Sequence, residues 1–245
     1  MVKQYPASQC KYWNEQWVNN KIQNLVCDPD ECTVTFWPGT SDRDIVKPDW
    51  STVAEFEKQI AAFFGAPYAV AVDSCTHGLE LVLRYKGLTA MVSQKHTYLS
   101  VPMLAQKLKI DLVWLDSKWV NKYSVAVNVY DAAVLWQQNS YVANSFMCIS
   151  FQYQKHLSLG RGGMILCPDE QSYNELKKMS YDGRLPGIPW RDQDIDTIGY
   201  HYYMTPETAA LGLQKLPEAI ATPPRIWTWE DYPDLTKMKL WAKEH

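Results

Sequence analysis

Between residue 50 and about residue 220, short apolar runs alternate with stretches of helical periodicity. YAVAVD (68–73), TAMVSQ (89–94), IDLVWLD (110–116), SVAVNVYD (124–131), SFMCISF (145–151) and GGMILC (162–167) are apolar runs of strand length. They read as buried strands. The intervening pieces carry helix signals. TVAE fits a capping box, with Thr52 as the cap and Glu55 at the third helical position. FEKQIAAFF continues that helix, and Gly65 stops it. In SCTHGLELVLRYKG, Leu79, Leu81, Val82 and Leu83 crowd one side of a helix that ends at Gly87. SVPMLAQKLK keeps Pro102 in its first turn, where proline is tolerated. Residues 169–180 and 206–220 are also helical by pattern. Strand–helix alternation with near-continuous apolar strands predicts an α/β domain with a mainly parallel central sheet and flanking helices.

This domain is expected to occupy residues 51–220. Residues 1–50 are irregular and rich in aromatic side chains, as expected of a segment that packs onto the core. Residues 221–245, rich in proline and tryptophan, are expected to wrap as a tail.

Composition narrows the classes. A hydrophobic fraction of 47% is enough for a sizeable core, and 21% charged residues argue against wholesale disorder. The net charge of −3 and the lack of a basic stripe give no indication of a nucleic-acid partner. The N-terminus lacks the apolar stretch of a signal peptide, and no apolar run is long enough to span a membrane. The scattered cysteines (Cys10, Cys27, Cys32, Cys75, Cys148 and Cys167) read as reduced thiols of a cytoplasmic protein. Cys27 and Cys32 have the spacing of half a metal site, but no second pair follows, so loop cysteines are the expectation.

Candidate chemistry gathers where strands end, which is where open α/β sheets bind ligands. Asp73-Ser74-Cys75-Thr76 joins a strand to a helix start. Asp131 ends one strand, Ser150 lies near the end of another, and Lys155 follows it. A hydroxyl-bearing helix start suits a phosphate, and an acid and a lysine nearby complete the parts of a pyridoxal-phosphate site. Spacing alone leaves a generic nucleotide fold as the stronger reading.

Four blocks carry a resemblance that changes this balance. DSCTHGLELVL, YDAAV, SFQYQKHLSLGRGG and GYHYYMTPETAALGLQKL occur in the order of matching segments in the DegT/DnrJ/EryC1/StrS family of sugar aminotransferases. FEKQIAAFFGAPYAVAV is similar to that family's lead-in. The resemblance implies fold type I of the pyridoxal-phosphate-dependent transferases and transfer of an amino group from glutamate or glutamine to a nucleotide-linked keto-sugar. It also implies a homodimer with a shared site.

By the same resemblance, Lys155 matches the lysine that binds the cofactor aldehyde, and Asp131 the acid that pairs with the pyridine nitrogen. Thr76 and Ser150 match phosphate-contacting hydroxyls, and the amides around Cys75 match the oxyanion-binding helix start. Tyr98 matches a ring that stacks on the cofactor, with a core tyrosine as the equal alternative. His201 stands where the family has an asparagine that reaches the phosphate of a neighbouring subunit's cofactor. His77 and His96 are assigned no role. Lys155 argues against the family branch that replaces this lysine by histidine, although His156 is adjacent.

The chain departs from the family at Cys75, Val134, Arg161, His201 and Tyr203. The stretch between Tyr98 and Asp131 is short, as though a strand–helix unit were trimmed. Too little chain follows Leu216 for the family's small C-terminal domain. These departures favour the alternative of a diverged relative that keeps the fold as a binding or regulatory protein.

Overall fold

The computed structural model describes residues 49–242. The expected packing of residues 1–48 and the Cys27–Cys32 alternative lie outside the described residues. Helix α1 spans Trp50–Phe64. Its cap is Asp49 rather than Thr52: Asp49 has extended backbone, and its side chain accepts from Ser51 N at 2.9 Å. Aspartate caps at least as well as threonine, so the helix begins three residues earlier than the TVAE pattern indicated. Gly65 ends it in the left-handed conformation at φ 74°, as expected.

The strands are β1 (Tyr68–Val72), β2 (Ala90–Gln94), β3 (Asp111–Leu115), β4 (Tyr123–Ala126), β5 (Val129–Asp131), β6 (Phe146–Ser150) and β7 (Gly163–Cys167). The remaining helices are α2 (Cys75–Tyr85), α3 (Ser100–Leu108), α4 (Glu170–Ser180) and α5 (Pro206–Ala221). Pro102 sits in the first turn of α3, as expected.

The main sheet has the order β1-β7-β6-β5-β4, and β2 and β3 form a separate parallel pair. In the five-stranded sheet only β5–β6 is parallel, so the sheet is mixed rather than mainly parallel. No helix lies between β6 and β7, and their direct connection brings β7 back antiparallel to β6. β1 then pairs antiparallel with β7.

The run 124–131 is not one strand. It is the hairpin β4–β5, turning at an exposed Val127 and at Asn128, whose φ is 57°. Asparagine tolerates left-handed backbone, so it breaks an apolar run that otherwise looks continuous.

Two apolar clusters sandwich the sheet. One joins α1 and α5 through Phe56, Ile60, Phe64, Ala209 and Leu216. A Cβ at Gly212 of α5 would stand 2.6 Å from the Phe56 ring, so that glycine allows the helices to approach. The other cluster holds α2, α3 and α4 against the opposite face. Helix α2 is buried around most of its girth, not along one side only. Even Glu80 is covered, and it accepts from Arg84 at 2.8 Å. Glu57 of α1 is likewise buried; it accepts from Ala71 N of β1 at 2.7 Å and pairs with Lys177 of α4 at 2.5 Å.

After α5 the chain doubles back. Trp227 and Asn121 exchange two hydrogen bonds: Asn121 N donates to Trp227 O at 2.8 Å, and Trp227 N to Asn121 Oδ1 at 2.9 Å. Leu235 N donates to Lys95 O at 2.9 Å, and the Leu235 side chain is buried. Asn121 and Lys95 thus hold residues 227 and 235 of the tail against the core.

Candidate active site

The carboxyl ends of β1, β5 and β6 lie on one side of the sheet, because β1 and β6 both run opposite to β7 while β5 runs parallel to β6. A cavity of about 740 Å³ opens there. Cys75, Thr76, Tyr98, Asp131, Ser150 and Lys155 all line it.

At the end of β1, Ser74 caps α2, with its Oγ accepting from His77 N at 3.2 Å. The first backbone bond of the turn runs from Gly78 N to Ser74 O. The Cys75 and Thr76 amides precede it and have no intrahelical acceptor. With the positive end of the helix dipole they form an anion-binding start. Thr76 Oγ1 lies 2.7 Å from Ser100 Oγ at the start of α3, so two hydroxyls flank these amides.

The backbone of β7 presses on this turn. A Cβ at Gly163 would stand 2.5 Å from Cys75 N, so only glycine fits. The Cys75 thiol is buried and donates to Cys148 O at 3.3 Å. Arg161, the departure in the glycine-rich segment, donates to Asp73 Oδ2 at 2.6 Å. His77 meets the other oxygen of the same aspartate at 2.6 Å. The Arg161 guanidinium and the His77 ring thus share the Asp73 carboxylate.

Asp131 ends β5 and is 4% exposed. Its Oδ1 accepts from Ala133 N at 2.9 Å, and its Oδ2 accepts from the Tyr123 hydroxyl. Burial pushes the carboxyl above its ordinary range. The hydrogen bonds from Tyr123 and Ala133 and the charge of Lys155 oppose that rise.

Lys155 lies in the loop after β6. Burial pushes its amine below the ordinary lysine value, against the opposing pull of Asp131 and Cys75. A lysine so shifted is more often neutral, and hence more nucleophilic, at a given pH. Among the described residues Nζ has no hydrogen-bond partner, and it stands 5.4 Å from the centre of the Trp227 ring. Ser150 Oγ accepts from Gln152 N at 3.3 Å and shapes the start of the lysine loop.

His201 is placed elsewhere. Its side chain is 71% exposed and lies 3.1 Å from Asp182. With Asp73, Arg161, Gly162 and Tyr203 it lines a second hollow of about 300 Å³, which adjoins the main cavity at Arg161 and Gly162. His96 and His156 are tied to backbone carbonyls, of Tyr232 and Ala219, each at 2.8 Å.

The sequence reading missed Ser100, Tyr123 and the tail residues Arg225, Trp227 and Tyr232, all of which line the cavity. Ser100 carried a faint signal, a hydroxyl at a helix start two residues before Pro102. The tail carried one in its dense RIWTWEDY stretch. Tyr123 carried none, because only the hairpin places it opposite Asp131.

Free amides and hydroxyls suit a phosphate, a buried carboxylate suits a pyridinium, and a desolvated amine suits an aldehyde. The donor set fits pyridoxal phosphate. The fold is that of fold type I of the pyridoxal-phosphate-dependent proteins.

The profile of the DegT/DnrJ/EryC1/StrS aminotransferase family matches residues 43–138 and 133–222, and the chain belongs to that family. The spore coat polysaccharide biosynthesis protein SpsC of Bacillus subtilis (strain 168) is 28% identical over 218 residues, covering 67% of this chain and 56% of SpsC. Spr1654 from Streptococcus pneumoniae, in its PLP form, superposes with a TM-score of 0.60 at 18% identity, covering 71% of this chain and 61% of that one. The sugar aminotransferase CalS13 from Micromonospora echinospora gives a TM-score of 0.58 at 15% identity, over 90% of this chain and 68% of CalS13. The chain thus spans little more than half the length of SpsC. Among the described residues no helix is long and apolar enough to cross a membrane.

Proposed function

We propose that this chain is a pyridoxal-phosphate-dependent aminotransferase that moves an amino group from glutamate or glutamine to a nucleotide-linked keto-sugar. The observation that carries this reading is the meeting of the α2 amides, Asp131 and Lys155 in one cavity. Bound there, pyridoxal phosphate supplies a ring that accepts electrons from the carbon bearing the amino group.

The chain's own residues do the rest. The Cys75 and Thr76 amides and the Thr76 and Ser150 hydroxyls bind the phosphate. Tyr98 packs against the ring, and Asp131 holds a proton on the ring nitrogen. Lys155 would be the residue that holds the cofactor at its aldehyde. Lys155 Nζ would also accept the proton leaving the donor's α-carbon and return it later in the half-reaction, as base and then acid. The exposure of His201 supports the reading that it reaches the phosphate in a second copy's site, with a homodimer as the working unit. A cytoplasmic location belongs to the same reading.

Purified protein mixed with pyridoxal phosphate tests the assignment. The expected result is a new absorbance band that borohydride fixes covalently to the peptide containing Lys155, and that Lys155→Ala abolishes. A protein with no band, or a Lys155→Ala variant with the same band, refutes it. Glutamate should then convert the bound cofactor to its pyridoxamine form. A protein that binds cofactor but never converts is the diverged binding relative.

A further inference from the structure

Asp131 is held by more than its own strand. Tyr123 and Asp131 are directly paired across the β4–β5 hairpin, so their side chains share one face. The Tyr123 hydroxyl donates to Asp131 Oδ2. Its single proton is thereby used, so its oxygen receives the hydrogen bond it shares with Thr97 Oγ1. Thr97 lies between β2 and α3, and all three side chains are buried. We infer that Thr97 and Tyr123 are positioning residues: a donor chain that keeps Asp131 ionised and aimed into the cavity. This rests on the reading of Asp131 as the partner of a pyridinium nitrogen.

The chemistry supports a dedicated device. A carboxylate this deeply buried tends to take up a proton, and a neutral acid cannot hold a pyridinium by charge. The other ionisable groups facing it are Cys75 from α2, Cys148 from β6, Lys155 from the loop after β6 and Tyr232 from the tail. Of these only Lys155 carries positive charge, and burial weakens its hold on that charge. The uncharged donors therefore carry much of the load. Tyr123 is aligned by the hairpin register, and Thr97 polarises its hydroxyl so that it donates more strongly.

The test measures the proton on Asp131 directly, with and without cofactor. In apo protein labelled at aspartate carboxyl carbons, the Asp131 signal is the one missing from Asp131→Asn, and its shift is followed with pH. Tyr123→Phe keeps the ring and removes the donor. It should raise the midpoint by about one to two pH units, since a hydrogen bond to a charged group contributes about 1.5–3 kcal/mol and one unit corresponds to about 1.4 kcal/mol.

Thr97→Val should raise the midpoint by less, in the same direction, and it carries the test if Tyr123→Phe does not fold. Pyridoxal phosphate is then titrated by absorbance at several pH values. The acid limb of its binding should move upward by the same amounts, in the same order. An Asp131 midpoint that is unchanged or lowered in both variants overturns the donor chain. Loss of cofactor binding by the wild type, with the midpoints shifted as expected, overturns the cofactor reading and leaves the donor chain standing.

Discussion

Asp131 and Arg225 both line the cavity, yet Asp131 is 4% exposed on the floor and the Arg225 side chain is 61% exposed on the tail wall. On the floor, charge is scarce and stripped of water, so each hydrogen bond changes a protonation equilibrium. On the wall, Arg225 pairs with Asp231 and stacks on Trp227 at 4.0 Å, with solvent close by. Effective dielectric separates the two. Substitutions on the floor should alter chemistry and cofactor affinity, whereas substitutions on the wall should alter access.

Asp131→Asn should show the largest effect. Removing a charged partner costs about 1.5–3 kcal/mol, so affinity for pyridoxal phosphate should fall about 10- to 100-fold in absorbance titrations. The same change should raise the melting temperature of the apo protein at neutral pH. The folded pKa of Asp131 lies above the unfolded value, so the folded chain binds the proton more tightly between the two. Its contribution to stability therefore falls as pH rises through that window and stays lower above it. Asparagine removes that pH-dependent loss, and equal melting curves for variant and wild type at pH 4 and pH 7 would count against it.

Trp227→Ala should act next. A cation–π contact contributes about 0.5–2 kcal/mol, and losing the indole also uncovers the amine. Labelling of Lys155 by an amine reagent should speed up several-fold, read by peptide mass spectrometry, with Asp131 titrating as before. An unchanged labelling rate would place Trp227 outside the control of this lysine. Arg161→Ala should show the smallest effect, because its pair with Asp73 is exposed on the arginine side. A loss of no more than about 1 kcal/mol in chemical denaturation is expected. A larger loss would mean that the rim shares the floor's low dielectric.

The sequence alone placed the residues at the ends of elements. Gly65, the hydroxyl-bearing helix start at Ser74–Thr76, Asp131 at a strand terminus and Lys155 in the loop before the glycine-rich turn are local features, legible from neighbours a few positions away. The α/β class followed in the same way, since strand and helix periodicities are short-range patterns. Direction and partnership were not legible. A single asparagine turned one apolar run into a hairpin, and a missing crossover helix returned β7 antiparallel; both depend on how a connection closes. Tyr123 faces Asp131 only because of that hairpin register, and Trp227 reaches Lys155 only because Asn121 and Lys95 tie the tail back over the core. Contacts between residues far apart in sequence leave little trace in local pattern. They also decide which buried groups lose water, and so which of them become chemically unusual.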